Sequence, residues 1–393
     1  MQQGILTINA GSSSIKFALF PLAHPISPDA EVSGQIDGIG TSATKMVAKD
    51  RAGSKIADQA IAGEQVSHDQ AFDALLQWFQ ATQTGWQIVA VGHRVVHGGD
   101  LYSQPTVVDA QVVEHLTSFI PLAPLHEPHN VAGIRALQKL MPSVPQVACF
   151  DTAFHRSQSD VAQAFALPRA LTAEGIKRYG FHGLSYEFIA RALPQHSSRA
   201  TGRVVVAHLG NGASMAAMVN RKCVATTLGF STIDGLMMGT RCGNLDPGVV
   251  LHLMETKGLS IKDMTRILYK ESGLLGVSGI SQDMRTLLAS DKPEAEEAVN
   301  LFCYRIVREL GSLVAAAGGL DALVFTGGIG EHAAEVRRRV CQQSEWLGIR
   351  LDPEANARHD VVISAGDSSV DVLVIPTNEE WMMAHHAQTL LAL

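Results

Sequence analysis

Residues 6–20 read LTINAGSSSIKFALF, and residues 205–219 read VVAHLGNGASMAAMV. Each is an apolar run, a polar turn holding glycine, and a second apolar run. The glycine takes the same place in both, at Gly11 and Gly210. Apolar runs bounded by Gly and Ser clusters predict strands, and two of them around a short turn predict a hairpin. Identity between the stretches is negligible. They are either a coincidence of layout or the hairpins of two related domains.

Outward from the first hairpin, with strands over Ile5–Asn9 and Ile15–Phe20, strand-like pieces follow at Glu31–Ile36 and Thr44–Ala48. Phe72, Leu75, Leu76 and Phe79 fall at i, i+3, i+4 and i+7, which predicts a helix over His68–Thr84. A strand over Gln87–Val91 ends at Gly92, a helix covers Asn130–Leu140, and a strand over Gln146–Phe150 closes a first block. Around the second hairpin, with strands over Arg203–His208 and Ala213–Asn220, a helix over Ser185–Leu193 precedes. Helices over Pro247–Glu255, Ile261–Lys270, Ser281–Leu288 and Pro293–Ala317 follow. A strand over Ala322–Phe325, the turn Thr326–Gly330, a helix from Glu331, a strand over Val372–Ile375 and a helix from Asn378 complete the chain. The alternation of strand and helix predicts an α/β fold. No Pro- or Ser-rich linker separates the blocks, so a tight hinge is expected near residue 150.

Composition narrows the function. The chain has 393 residues, 31 Lys+Arg against 38 Asp+Glu, and a net charge of −7. At about 150 residues per domain this length suits two or three domains. Apolar residues at 46% exclude disorder as the main state. No run approaches the ~18 apolar residues of a membrane helix. The first residues, MQQGILTINAGSSS, read as a strand rather than a signal peptide. The acidic balance and the lack of a Lys/Arg cluster argue against nucleic acid as a partner. Cys149, Cys223, Cys242, Cys303 and Cys341 are scattered with no C-x-x-C pair, as expected of reduced thiols in a cytosolic protein.

The 35 glycines gather at the ends of apolar runs. Turns at 9–14, 210–212 and 327–330 could each cradle an anion on backbone N–H groups, because no Cβ blocks the approach. They could equally be ordinary turns; three of them at strand ends shift the weight toward a nucleotide. Neither G-x-x-x-x-G-K-[ST] nor an intact G-x-G-x-x-G is present, so the nucleotide must be held by another architecture. Lys16 is either an outward surface lysine or a point charge for phosphate. Arg94 and Arg241, each beside glycines, are either structural ion pairs or anion clamps. Asp151 follows a strand, where ligands collect in α/β sheets. His126, His155 and His182 are candidate polar site residues. No H-E-x-x-H or close His/carboxylate cluster suggests zinc.

The motifs INAGSSSIKF (8–17), GHRVVHGG (92–99), PLAPLHEP (121–128), FDTAFH (150–155), RYGFHG (178–183), HLGNGAS (208–214), GLMMGTR (235–241), LDPG (245–248), SGLLGVSG (272–279), FTGGIGE (325–331) and PTNEE (376–380) resemble those of the acetate and propionate kinases, in order and over essentially the whole chain. The resemblance implies two ribonuclease H-like domains of the actin-like ATPase fold around a central ATP and substrate cleft. It divides the chain into 1–150, with a helix over about 380–393 packing back on it, and 151–379. It implies reversible phosphoryl transfer between ATP and a short carboxylate, with Mg2+ or Mn2+, in a cytoplasmic homodimer. Asn9 and Glu379 would hold the metal and Lys16 a phosphate. Arg94 would bind the carboxylate or acyl phosphate, with Asp151, His182 and Arg241 as the other catalytic residues. Val96, Leu125, His126 and Phe181 would line the acyl site. His208, Leu209, Gly210, Asn211, Gly212, Asp283, Met284, Arg285, Gly328, Ile329, Gly330, Glu331 and His332 would hold ATP. Leu184 and Tyr186 stand where the common YGFHGTSH has Thr and a second His. Thr232, Asn244 and His332 replace a usual Pro, Asp and Asn.

The chemistry suits these residues. A carboxylate is already ionised at pH 7 and needs no base to attack. It needs charge neutralisation, since two like charges about 4 Å apart repel by roughly 4 kcal/mol at an effective dielectric of 20. Asp151 is therefore expected to orient an arginine, a water or the metal shell rather than to remove a proton.

Overall fold

The computed structural model describes residues 1–393, which divide into two compact units, Met1–Ala153 with Asn378–Leu393, and Phe154–Thr377. Unit 1 holds one eight-stranded sheet: β1 (Gln2–Ala10), β2 (Ser14–Pro21), β3 (Val32–Asp37), β4 (Lys45–Asp50), β5 (Lys55–Ala60), β6 (Trp86–Val95), β7 (Thr106–Val107) and β8 (Gln146–Phe150). Their spatial order is β5-β4-β3-β2-β1-β6-β8-β7. Consecutive strands β1 to β5 pair antiparallel, whereas β6 and β8 add in parallel on the other side of β1. Parallel addition needs a crossover, supplied by the helices His68–Thr82 and Glu127–Leu140. The first is stopped at its N-terminus by a Ser67–Gln70 capping box, and its Phe72, Leu75, Leu76 and Phe79 are buried in the core with Phe17 and Ile36. The C-terminal helix Glu379–Leu391, capped by Asn378, packs on β1 and β6 of the same unit. Gly92 allows this approach: a Cβ there would lie 2.9 Å from the Met383 carbonyl oxygen.

Unit 2 holds five strands, β9 (Arg203–Leu209), β10 (Ala213–Val219), β11 (Lys222–Thr226), β12 (Ala322–Thr326) and β13 (Asp371–Val374), in the order β11-β10-β9-β12-β13. β9 to β11 are antiparallel, and β12 and β13 add in parallel beside β9. This repeats the order and sense of β3-β2-β1-β6-β8. The two hairpins singled out in the sequence are β1–β2 and β9–β10, at equivalent places in two equivalent sheets. The long helix Pro293–Ala317 buries Ala295, Ala298, Val299, Phe302, Cys303, Ile306, Leu310 and Leu313 along one face.

Several elements differ from expectation. β6 does not stop at Gly92 but runs to Val95, because both neighbouring strands continue its ladder. The helix expected from Ser281 starts at Met284, where the Asp283 carboxylate caps it. The glycines after β12 are not a turn before a helix; they open the helix Gly327–His332. β5 carries almost no buried side chain, so nothing in its sequence alternates to announce a strand. No helix is long and apolar enough to cross a membrane.

Candidate functional site

In unit 1 the candidates meet at the ends of β1, β6 and β8. Arg94 lies near the end of β6, and Asp151 follows β8, its N–H donating to the Val95 carbonyl oxygen at 3.0 Å. Arg94 donates from Nε to Asp151 Oδ1 at 2.9 Å and from Nη2 to Oδ2 at 2.6 Å. Its Nη1 lies 3.4 Å from Asn9 Oδ1, and Glu379 Oε2 is 3.9 Å from Nε. Burial opposes the guanidinium charge, but Asp151 outweighs it and the Arg94 pKa rises. Asp151 is only 1% exposed and Arg94 21%, so the pair is bidentate and nearly dry, with the guanidinium keeping a solvent-facing edge. The remaining N–H groups on that edge can receive an anion.

Burial pushes the Glu379 carboxyl up to about 7, helped by Asp151 and Glu380 and opposed by Arg94 and Lys16. A carboxylate held this high is short of positive charge, which a cation would supply. Glu379 and the Asn9 amide oxygen are hard oxygen donors. No group of three or more His, Cys, Asp or Glu forms a cage. That sparse set suits Mg2+, which keeps its waters and shares phosphate oxygens. Lys16 pairs with Asn9 across the hairpin and lines a cavity of about 530 Å3 with Lys49, Asn378 and Glu380.

Val96 is buried, and its N–H donates to Asn130 Oδ1 at 3.0 Å, while Asn130 Nδ2 donates to the Ala10 carbonyl at 2.9 Å. Asn130 thus ties the end of β6 to the end of β1, a role its place in a helix did not announce. Leu125 and His126 precede the helix Glu127–Leu140 and are half-buried. Glu127 is fully buried and receives the His97 N–H at 3.3 Å, and its Oε1 has no partner. Burial pushes its carboxyl up to about 8, with Asp151 adding to the shift.

In unit 2 three distant segments converge. Gly210 and Asn211 from the β9–β10 turn, Asp283, Met284 and Arg285, and Gly328, Ile329 and His332 line one cavity of about 440 Å3, together with Gln282, Leu288 and Ala333. A Cβ at Gly328 would meet nothing within 4 Å, so that wall stands open to a ligand. Other expected ATP residues stand behind it. Leu209 and Gly330 are buried. Glu331 Oε1 accepts the N–H groups of Gly327 at 2.9 Å and Thr377 at 3.3 Å, so it holds the backbone. Arg337, fully buried and absent from the expectations, donates from Nη1 to the carbonyls of Gly330 and Glu331, both at 2.8 Å. It clamps the cavity-lining helix from behind. Asp283 and Arg285 pair on the exposed rim, and the hydrogen bond from Arg285 holds the Asp283 carboxyl down to about 2.

His182 and Arg241 come together beside the β9–β10 turn. A methyl at Gly212 would lie 3.4 Å from His182 Nε2 and 4.0 Å from Arg241 Nη1. His182 sits in the left-handed region (φ 59°) just before the helix Gly183–Ala192, unusual for a residue with a Cβ. Its ring stacks on His208 with centroids 4.4 Å apart. Phe181, buried beside it, has its carbonyl bonded to His155 Nε2 at 2.8 Å. Arg241 Nη1 donates to the Thr232 carbonyl at 3.0 Å, a contact the departure from Pro leaves intact because it uses the backbone. The loop carrying Arg241 lies against Gly273, where a Cβ would come within 2.2 Å of the Met238 carbonyl oxygen. Asn244 receives the Gly235 N–H and donates to Glu309, a structural bridge away from the reacting groups.

Two sheets of the same strand order, with a buried bidentate arginine–carboxylate pair in one unit and a cavity lined by Gly210 and Gly328 in the other, define a two-unit α/β protein of the actin-like ATPase fold. The profile of the Acetokinase family matches residues 4–385. An acetate kinase of Rhodopseudomonas palustris is 57% identical over 98% of both chains. One of Methylocella silvestris is 50% identical over 100% of this chain and 98% of its own. Among solved structures, a propionate kinase from Francisella tularensis superposes with a TM-score of 0.91 at 37% identity, covering 98% of this chain and 99% of its own. Porphyromonas gingivalis acetate kinase superposes at 0.89 and 36%, covering 99% and 100%. The chain belongs to the acetokinase family.

Proposed function

We propose that this chain transfers the γ-phosphate of ATP to acetate, giving acetyl phosphate and ADP, reversibly and by direct in-line displacement. The observation that carries the reading is the bidentate Arg94–Asp151 pair with its open guanidinium edge. An arginine so held is a preorganised receptor for a carboxylate or acyl phosphate. Asp151 spends both oxygens on Arg94, which supports an orienting role rather than proton removal.

The nucleotide occupies the cavity of Gly210, Asn211, Asp283–Arg285 and Gly328–His332, with the glycine backbone against its phosphates. Arg241 and His182 donate to the phosphoryl oxygens as charge redistributes in transfer. Lys16 meets phosphate from the first hairpin. Asn9 and Glu379 would hold Mg2+, which when bound neutralises phosphate charge. Val96, Leu125, His126 and Phe181 receive the acyl group. The protein works in the cytoplasm as a homodimer, without nucleic acid.

Incubation with ATP, Mg2+ and acetate, followed by trapping with hydroxylamine, is expected to give acetohydroxamate in step with ADP. ADP without hydroxamate would point to an ATPase instead. The likeness to a propionate kinase favours one second reading, a three-carbon acceptor. A methylene is worth only about 1–3 kcal/mol in an apolar pocket, so kcat/KM for acetate, propionate and butyrate decides between them.

A further inference from the structure

Tyr186 departs from the family's common histidine, and it lies in the first turn of the helix that His182 precedes, its N–H donating to the His182 carbonyl at 3.1 Å. It is fully buried, edge-on to the His155 ring at 5.5 Å. Its hydroxyl is 2.5 Å from Ser214 Oγ, and Ser214 Oγ is 2.8 Å from His182 Nδ1. Ser214 belongs to β10 and is itself fully buried. A continuous chain of hydrogen bonds therefore links a phenol, an alcohol and the imidazole whose far nitrogen, like Arg241 Nη1, lies within 4.0 Å of where a Cβ on Gly212 would stand.

The chain has a direction. A phenol is a far stronger acid than an alcohol, so Tyr186 is the donor of the pair and Ser214 Oγ the acceptor. Ser214 has one hydroxyl proton, and its remaining neighbour in the chain is His182 Nδ1, which must accept it. An imidazole that accepts at Nδ1 carries its proton on Nε2. The His208 ring, stacked with its centroid 4.4 Å away, disfavours charge on both rings at once.

We propose that Tyr186, acting through Ser214, is a positioning residue that locks His182 as the neutral Nε2–H tautomer and aims that N–H at the transferring phosphoryl group. His182 then contributes a directed hydrogen bond, and Arg241 the positive charge. The histidine's left-handed backbone fits this reading, because the ring must be presented at one angle at the mouth of its helix. The phosphoryl group as ligand rests on the kinase reading above; the tautomer does not.

Two measurements on the full chain separate these claims. In protein labelled with 15N-histidine, with the His182 signals assigned by comparison with His182→Gln, the Nδ1 shift of the unsubstituted protein is expected to be that of an unprotonated nitrogen and the Nε2 shift that of N–H. Tyr186→Phe removes the proton that fixes the direction of the Ser214 hydroxyl, so that Ser214 Oγ can accept from a His182 Nδ1–H as readily as donate to Nδ1, and is expected to move His182 toward a mixture of tautomers. Its kcat falls about tenfold, the size of one directed hydrogen bond, while KM for ATP and for acetate stays within about twofold. Ser214→Ala shows the same effects, and the double variant is no worse than Ser214→Ala alone. A protonated Nδ1 in the unsubstituted protein, or a tautomer unmoved in both variants, overturns the proposal. So does an unchanged kcat despite a shifted tautomer. If no acetyl phosphate forms with the unsubstituted protein, the kinase reading fails, while the nitrogen shifts still decide the tautomer.

Discussion

The two units share a strand order and differ in what they place at the strand ends. Unit 1 presents charge: Arg94, Asp151 and Glu379, with Lys16 across the hairpin from Asn9. Unit 2 presents backbone and imidazole rings: Gly210, Gly328 and the stacked His182 and His208, with Arg241 as the guanidinium beside His182. The same scaffold therefore serves two tasks. A small carboxylate offers little surface, so on the proposed function a preorganised charge such as Arg94 would grip it. A nucleotide offers a large surface and close-set phosphates, and the unit 2 cavity, where Gly210 and Gly328 bare the backbone, would receive it. The hairpin turns show the division, with serines in one and Gly-Asn-Gly in the other.

Substitutions can break this comparison, and the largest effect is expected at Arg241, the guanidinium beside His182 in unit 2. Arg241→Ala is expected to lower kcat by about 10²–10³-fold, the range for losing one preorganised donor, and to leave KM for ATP nearly unchanged. Steady-state kinetics at saturating acetate reads this directly. Equal losses in both would make Arg241 a ground-state nucleotide contact. Next comes the orienting carboxylate of unit 1. Asp151→Asn keeps the shape but replaces a charge-assisted bidentate pair by weaker neutral bonds, and kcat/KM for acetate is expected to fall at least tenfold. Near-full turnover would leave Asp151 a structural residue.

A third test addresses the cavity. Gly328→Val adds bulk where nothing now stands within 4 Å of a Cβ, so the fold should tolerate it. KM for ATP is expected to rise about tenfold, within the ~1–3 kcal/mol typical of overpacking, with KM for acetate unmoved. A matching rise for acetate would erase the division of labour between the units. The smallest effect is one of stability. Between the ordinary glutamate value of 4.5 and about 8, folded Glu127 keeps a proton that the unfolded chain has released. The folded state binds more protons in that window, so stability is lost as pH rises through it and levels off above about 8. Glu127→Gln, which cannot ionise, is expected to flatten the fall of Tm between pH 5 and 8. Thermal melts across that range give the answer, and an unchanged slope would show that Glu127 ionises normally.

Much of the scaffold was legible because its signals are local. Ile5–Asn9 and Ile15–Phe20 are apolar runs on either side of a turn rich in small residues, and the Phe72, Leu75, Leu76, Phe79 stripe repeats at helical spacing. The helix Pro293–Ala317 matched its expected bounds, since Pro opens it and Gly318 ends it. β5 was not legible, being an exposed edge strand that leans on its neighbour's hydrogen bonds rather than on its own pattern. The candidate site was legible as motifs but not as a mechanism. Arg94 and Asp151 lie 57 positions apart, and only the parallel pairing of β6 with β8 makes them a pair.

The sequence by itself determined the α/β alternation, two matching hairpins and the residues able to handle anions, because strand, turn and helix propensities act over a few neighbouring positions. Tertiary structure decided which polar groups face a ligand and which face the protein. Glu331, at a motif position suited to ATP, turns back to hold backbone N–H groups, and Arg337, which no motif announced, clamps the cavity-lining helix from behind. Tyr186 and Ser214 are 28 positions apart and meet only because the helix Gly183–Ala192 packs on β9, to which β10 is paired. Hydrogen bonds and ion pairs act over about 3 Å in space whatever the separation along the chain. Their partners are therefore fixed by packing, and so is the work that each side chain can do.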